Sequence, residues 1–153
     1  MPGKAQEDID RELETNANTI VEALRSFGVQ TKCIGTCRGP SVTRYELQPA
    51  AGVKISKITG LADDIALNLA SSGIRIEAPI PNKPAVGIEV PNKIRDTVPF
   101  RQLIESSDIA EKKSKLAAVL GKDISGGIVI ADIAEMPHLP VSYTHLRAHE
   151  TKA

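Results

Sequence analysis

Residues 39–48 read Gly-Pro-Ser-Val-Thr-Arg-Tyr-Glu-Leu-Gln, and their alternation decides the fold. In an extended chain Thr43, Tyr45 and Leu47 fall on one face, and Val42, Arg44 and Glu46 on the other. Gly39-Pro40 is a turn signal, and residues 29–37 before it are β-like, so two strands precede and follow that turn. Further upstream, Ile9, Leu13, Ala17, Ile20, Val21, Leu24 and Phe27 recur at steps of three and four. That spacing predicts an amphipathic helix, stopped at Gly28, which can take the left-handed conformation. Downstream, residues 49–52 are a loop. A second helix then turns Ile55, Ile58, Leu61, Ala62, Ile65, Ala66 and Leu69 inward, with Ser56 as N-cap and Gly73 as stop. Residues 74–80 and 86–90 alternate again around the turn 81–84 and predict a hairpin. The order helix–strand–strand–helix–strand–strand is α+β: a small sheet with helices packed on one face.

Beyond residue 92 the chain changes character. A short helix at 100–104 leads into a polar linker at 105–113. Residues 116–120 and 128–133 are then continuous apolar runs. Such runs suit strands buried on both faces, as at the start of a parallel α/β sheet. The expected organisation is therefore an N-terminal helical extension or linker at 1–15, a first domain at 16–110, and an incomplete second domain at 111–141. Residues 142–153 (Ser-Tyr-Thr-His-Leu-Arg-Ala-His-Glu-Thr-Lys-Ala) match neither in composition; they are read as a non-native tail and set aside.

Composition narrows the function. Hydrophobic residues at 41% and charged residues at 25% describe a globular protein, and aromatics at 3% require a core of Ile, Val, Leu and Ala. Lys+Arg and Asp+Glu balance at 19 each, so a contact with nucleic acid must come from a local patch. No apolar run is long enough to cross a bilayer. Strand alternation places Cys33 and Cys37 on one face, too far apart for a relaxed disulfide, so both are read as free thiols of a reducing cytoplasm.

Several residues invite a chemical reading and do not sustain it. His145 and His149 are four apart, but the order His-x-x-x-His-Glu is not that of zinc hydrolases. His138 precedes a strand as a packing or surface residue. Gly121-Lys122-Asp123 has no second glycine at phosphate-loop spacing and reads as a turn between buried strands or a packing contact beside the missing loop, and Gly126-Gly127 as a turn between two strands. Arg44 and Glu46 suit an ion-pair arrangement across the sheet. No residue is assigned a catalytic, nucleotide-binding or metal-binding role.

The stretch from Gly39 to Leu47 resembles the GP-x-VT-x-[YF]-E signature of the FtsK/SpoIIIE family of DNA translocases. The likeness continues through Gly52 to Ile58, Asp63 to Ala66, Ile76 to Asn92, Leu120 to Ile124, Ala131-Asp132 and Met136 to Leu139. Several spaced motifs in one order, over residues 16–141, are far more specific than any single one. The resemblance implies an α subdomain up to about residue 105 and the first strands of a RecA-like, ATP-binding subdomain from about 115. It also implies a homo-hexameric ring acting on double-stranded DNA in chromosome partition and cell division, using ATP and Mg²⁺, cytoplasmic though often anchored to the inner membrane. In the family, Met-Pro-His-Leu leads into a Gly-rich phosphate loop; residues 142–153 contain no glycine and cannot make one. The chain alone is therefore expected to be a monomer that neither hydrolyses ATP nor binds DNA strongly. Lys54 and Lys57, flanking the start of the second helix, are the DNA-facing candidates. A free-standing α+β protein-interaction module with no DNA role is the competing reading, favoured by the balanced charge.

Overall fold

The computed structural model describes residues 4–81, 83–106, 109 and 114–138. The expected boundary near residue 110, the tail at 142–153, and His145 and His149 lie outside the described residues. The chain divides into two compact units, residues 1–99 with 122–127, and residues 100–121 with 128–153.

In the first unit, α1 (Lys4–Ser26) is followed by β1 (Thr31–Arg38), β2 (Val42–Pro49), α2 (Ile55–Thr59), α3 (Ala62–Asn68), β3 (Arg75–Glu77) and β4 (Val86–Pro91). The strands form one antiparallel sheet in the order β1-β2-β4-β3. The alternation of residues 41–48 sets its two faces. Tyr45 pairs with Ile88 and Leu47 with Val86, and these four join Ile20 and Leu24 of α1, Ile58 of α2 and Ile65 of α3 in one core. Tyr45 and Leu47 are fully buried. Helices therefore cover one face, and the class is α+β as the sequence implies.

Five details depart from the sequence reading. The second helix is two pieces, because the bond from Leu61 N to Ile58 O tightens the turn after Gly60 and puts Leu61 at φ −98°, ψ 13°. The break leaves Ile55 exposed rather than inward. Lys54, not Ser56, is the N-cap of α2, with no side-chain capping bond. The stop comes at Ala70, before Gly73: Ser71 N bonds to Ala66 O and Ala70 N to Leu67 O, with Ala70 at φ +48°. This is a Schellman motif. α1 ends in the same motif, Val29 N to Leu24 O and Gly28 N to Arg25 O, with the expected glycine at φ +71°.

The cysteines are the fourth departure. Cys33 pairs with Leu47, but Gly35 pairs with Glu46, so Ile34 is an extra residue in β1. A bulge of one residue reverses which face the following side chains take. Cys33 therefore packs against the core, while Cys37 sits opposite Arg44 on the other face. Both are free thiols.

In the second unit, α4 (Phe100–Ile104) buries Leu103, and β5 (Ala117–Lys122) and β6 (Ile128–Asp132) form a two-stranded sheet. A short 3₁₀ turn, Ile133–Glu135, follows, capped by Asp132. Five residues join β5 to β6, enough for a hairpin and too few for a parallel crossover. The fifth departure follows from that. The two apolar runs are strands, but half-buried ones, with Leu120 67% exposed, rather than strands enclosed on both faces.

Candidate functional site

The signature residues meet at one junction. Thr43 points into the core-facing row of β2, where an unpaired hydroxyl would be costly. Its Oγ1 donates to Asn92 Oδ1 at 2.7 Å. Asn92 Nδ2 donates to the Gly39 carbonyl at 2.8 Å, and Asn92 N to the Ser41 carbonyl at 2.9 Å. Both Thr43 and Asn92 are buried. The segment leaving β4 is fastened further by Asp96 N on the Pro40 carbonyl and by Arg38, which donates to Asp96 Oδ2 and to the Ile94 carbonyl.

Gly39 is a glycine for reasons of space. A Cβ there would lie 3.0 Å from Ile124 Cα and 3.1 Å from the Val42 carbonyl. The turn carrying Ile124 is held by Asp123, which accepts from Gly127 N through Oδ1 and bonds to the Gly127 carbonyl through its own N. Cys37 Sγ contacts the Ile124 carbonyl at 3.4 Å. Asp123 and Gly126-Gly127 are thus parts of a turn, whereas Gly121 and Lys122, expected in the same turn, are the last residues of β5. The buried side chains of Thr43 and Asn92 are bonded within the junction, to each other and to the Gly39 carbonyl.

The second sheet face carries a charge network. Arg44 donates to Glu89 Oε1 at 2.9 Å and forms an ion pair with Glu77 Oε2 at 2.8 Å, off the angle of a hydrogen bond. Arg75 reaches the other Glu89 oxygen at 3.4 Å, and Lys83 holds Glu46 at 2.8 Å. The bond to Glu89 holds the Arg44 guanidinium above its ordinary pKa, against the opposing effect of burial, with Glu77 adding to the rise. Arg44 and Glu46 are therefore in ion pairs across the sheet, as expected. On the core side, burial pushes the Tyr45 hydroxyl above its ordinary value, outweighing the Asn16 amide, whose hydrogen bond favours the ionised form.

Lys54 and Lys57 are both exposed, and the structure separates their roles. Lys57 Nζ donates to the Gly28 carbonyl at 3.4 Å, at the C-terminal end of α1 where a cation is favoured. Lys54 makes no such bond among the described residues. The two line one shallow hollow of about 420 Å³ with Gly28, Gly52, Val53 and Ser56. His138 is exposed, and among the described residues no three His, Cys, Asp or Glu side chains converge as metal ligands. Sequence reasoning missed the Asn92 junction. The signal was Thr43, a polar residue in the buried row beside Tyr45 and Leu47, which requires a partner.

Comparison with known proteins places this arrangement. The FtsK alpha domain family matches residues 1–92. A "DNA translocase FtsK" of Clostridium acetobutylicum is 55% identical over 139 residues, covering 91% of this chain and 18% of the relative. The "DNA translocase SftA" of Bacillus subtilis is 46% identical over 137 residues, covering 90% and 14%. The chain thus spans less than a fifth of either relative's length, and matches of that extent must run beyond residue 92. A solved structure of the pCW3 conjugation coupling protein TcpA, monomer form with ATPγS, aligns with 82% of this chain and 36% of its own at 14% identity and a TM-score of 0.39. With the family match spanning β1, the signature turn, β2 and β4 to Asn92, this chain belongs to the FtsK alpha domain family.

Proposed function

We propose that this chain is a segment of an ATP-driven double-stranded DNA translocase, supplying its α subdomain and the opening strands of its RecA-like subdomain. The observation that carries the reading is the 139-residue match at 55% identity to a DNA translocase. The junction of Gly39, Thr43 and Asn92 supports it, because the signature residues there serve one structural purpose together. In the whole protein, ATP and Mg²⁺ bind the RecA-like part, and six copies ring the DNA to move it during chromosome partition and cell division in the cytoplasm. The 153 residues hold no Gly-x-x-x-x-Gly-Lys-Ser/Thr loop, so phosphate binding falls to parts outside them. Alone, the chain is a monomer with weak affinity for duplex DNA.

Two measurements test this. Mg-ATP at a hundred times a dissociation constant would stabilise a binding protein by about 2.7 kcal/mol; here the melting temperature stays unchanged. A Clostridium acetobutylicum translocase carrying this chain in place of its own matching segment keeps DNA-stimulated ATP hydrolysis. A nucleotide-dependent rise in melting temperature of the chain alone, or a folded chimera without DNA stimulation, contradicts the reading.

A further inference from the structure

The balanced charge conceals a polarity. Residues 23–45 contain no carboxylate, nor do residues 47–62, and together they hold Arg25, Lys32, Arg38, Arg44, Lys54 and Lys57. Two of these cations are taken up by ion pairs, Arg38 by Asp96 and Arg44 by Glu77 and Glu89. The other four are exposed and, among the described residues, in no ion pair. The segments that carry them meet at one end of the sheet. Gly28 N bonds to the Arg25 carbonyl, Ala50 N bonds to the Gln30 carbonyl, and Lys32 sits opposite Gln48. A second hollow, of about 380 Å³, is lined by Gln30, Thr31, Lys32, Gln48, Pro49 and Ala50. The acids of α1, from Glu7 to Glu14, lie at its other end. Arg25 is eleven residues beyond Glu14, roughly 16 Å along the helix. Glu22 is three residues from Arg25, and Asp63 and Asp64 are six and seven from Lys57, so the corner is a patch and not a whole face.

We propose that this corner, through Arg25, Lys32 and Lys54, contacts the phosphate backbone of duplex DNA. The inference rests on the translocase reading and adds to it a surface that the α subdomain presents to the substrate. Flexible cations around shallow hollows lined with neutral amides suit sequence-independent contact with phosphate and sugar. Lys57 differs from the other three: its ammonium is engaged at the end of α1, so it is a helix cap before it is a phosphate ligand.

The test is an amide NMR titration of the whole 153-residue chain with a short random-sequence duplex at several salt concentrations. Affinity falls in the non-specific range of about 10⁻⁴ to 10⁻⁶ M, with shifts at residues 25–32 and 48–57. Three phosphate contacts give log K against log salt a slope of about −2.7, and Lys32→Gln with Lys54→Gln reduces it to about −0.9. Lys93→Gln with Arg95→Gln, on the segment after β4, leaves the slope unchanged. An amide spectrum and a melting curve of each variant establish that it folds. Shifts centred on Lys93 and Arg95 overturn the proposal and leave the translocase reading standing. Absence of any shift overturns it too, and the chimera then judges the translocase reading separately. Binding to phosphatidylglycerol vesicles but not to duplex contradicts it in favour of a membrane surface.

Discussion

Asn92 is bonded to Gly39 across 53 positions of sequence, its side-chain nitrogen 2.8 Å from the Gly39 carbonyl while its oxygen accepts from Thr43. One amide thus joins the turn before β2, the middle of the sheet and the exit from β4. Asn92→Ala removes both side-chain bonds and strands a buried hydroxyl. It costs about 2–3 kcal/mol, against about 1 kcal/mol for Thr43→Val. Urea unfolding of both singles and the double measures this. The double falls short of the sum, because the two share a bond.

Gly39→Ala tests the other side of the junction. Backbone atoms, rather than flexible side-chain ends, stand within 3.0–3.3 Å of the added carbon, so relief requires the chain itself to move. Overpacking of that kind costs about 1–3 kcal/mol. Gly73→Ala is the control, since nothing lies within 4 Å of its Cβ and its cost stays below about 0.5 kcal/mol.

Ala70 occupies the left-handed position that Gly28 fills at the end of α1. An L-residue there carries about 1–2 kcal/mol of strain, part of which glycine returns through the entropy of the unfolded chain. Ala70→Gly therefore raises stability by about 0.5–1 kcal/mol, whereas Gly28→Ala lowers it by at least as much. Thermal melts of the two variants shift in opposite directions.

Tyr45 gives the pH dependence. Its folded pKa is raised, chiefly by burial, so the stability it contributes is fully present below the unfolded value of about 10 and is lost as pH rises through the folded one. Tyr45→Phe flattens the alkaline limb of the stability curve. Tyr143, the other tyrosine, is common to both proteins and cancels in the difference. Equal alkaline slopes for the two would contradict the buried environment of Tyr45.

Period-two alternation at 41–48 was enough to read the sheet, because burial of one face leaves only one register. The apolar stripe of α1 and its glycine stop were legible for the same reason: each rests on local spacing. What was not legible depends on contacts distant in sequence or on single-residue irregularities. A bulge at Ile34 carries no composition signal, yet it sends Cys33 and Cys37 to opposite faces. Alanine at a helix stop defeats a rule that looks for glycine. The runs at 116–120 and 128–133 have the composition of enclosed strands, but their five-residue connection makes them a hairpin, and length of connection outweighs composition. At the candidate site, Lys54 and Lys57 look equivalent in sequence; only the position of the Gly28 carbonyl distinguishes them.

An interchangeable segment of a DNA motor must sustain directional movement in the motor that receives it. The measurement is displacement of a DNA triplex by the Clostridium acetobutylicum translocase with this chain replacing its matching segment. ATP-dependent displacement within about tenfold of the parent rate is expected, a rise of no more than about 1.4 kcal/mol in the barrier. A sharp fall is expected when Asn92→Ala is added at the junction. A chimera that folds, binds ATP and leaves the triplex in place would contradict the translocase reading.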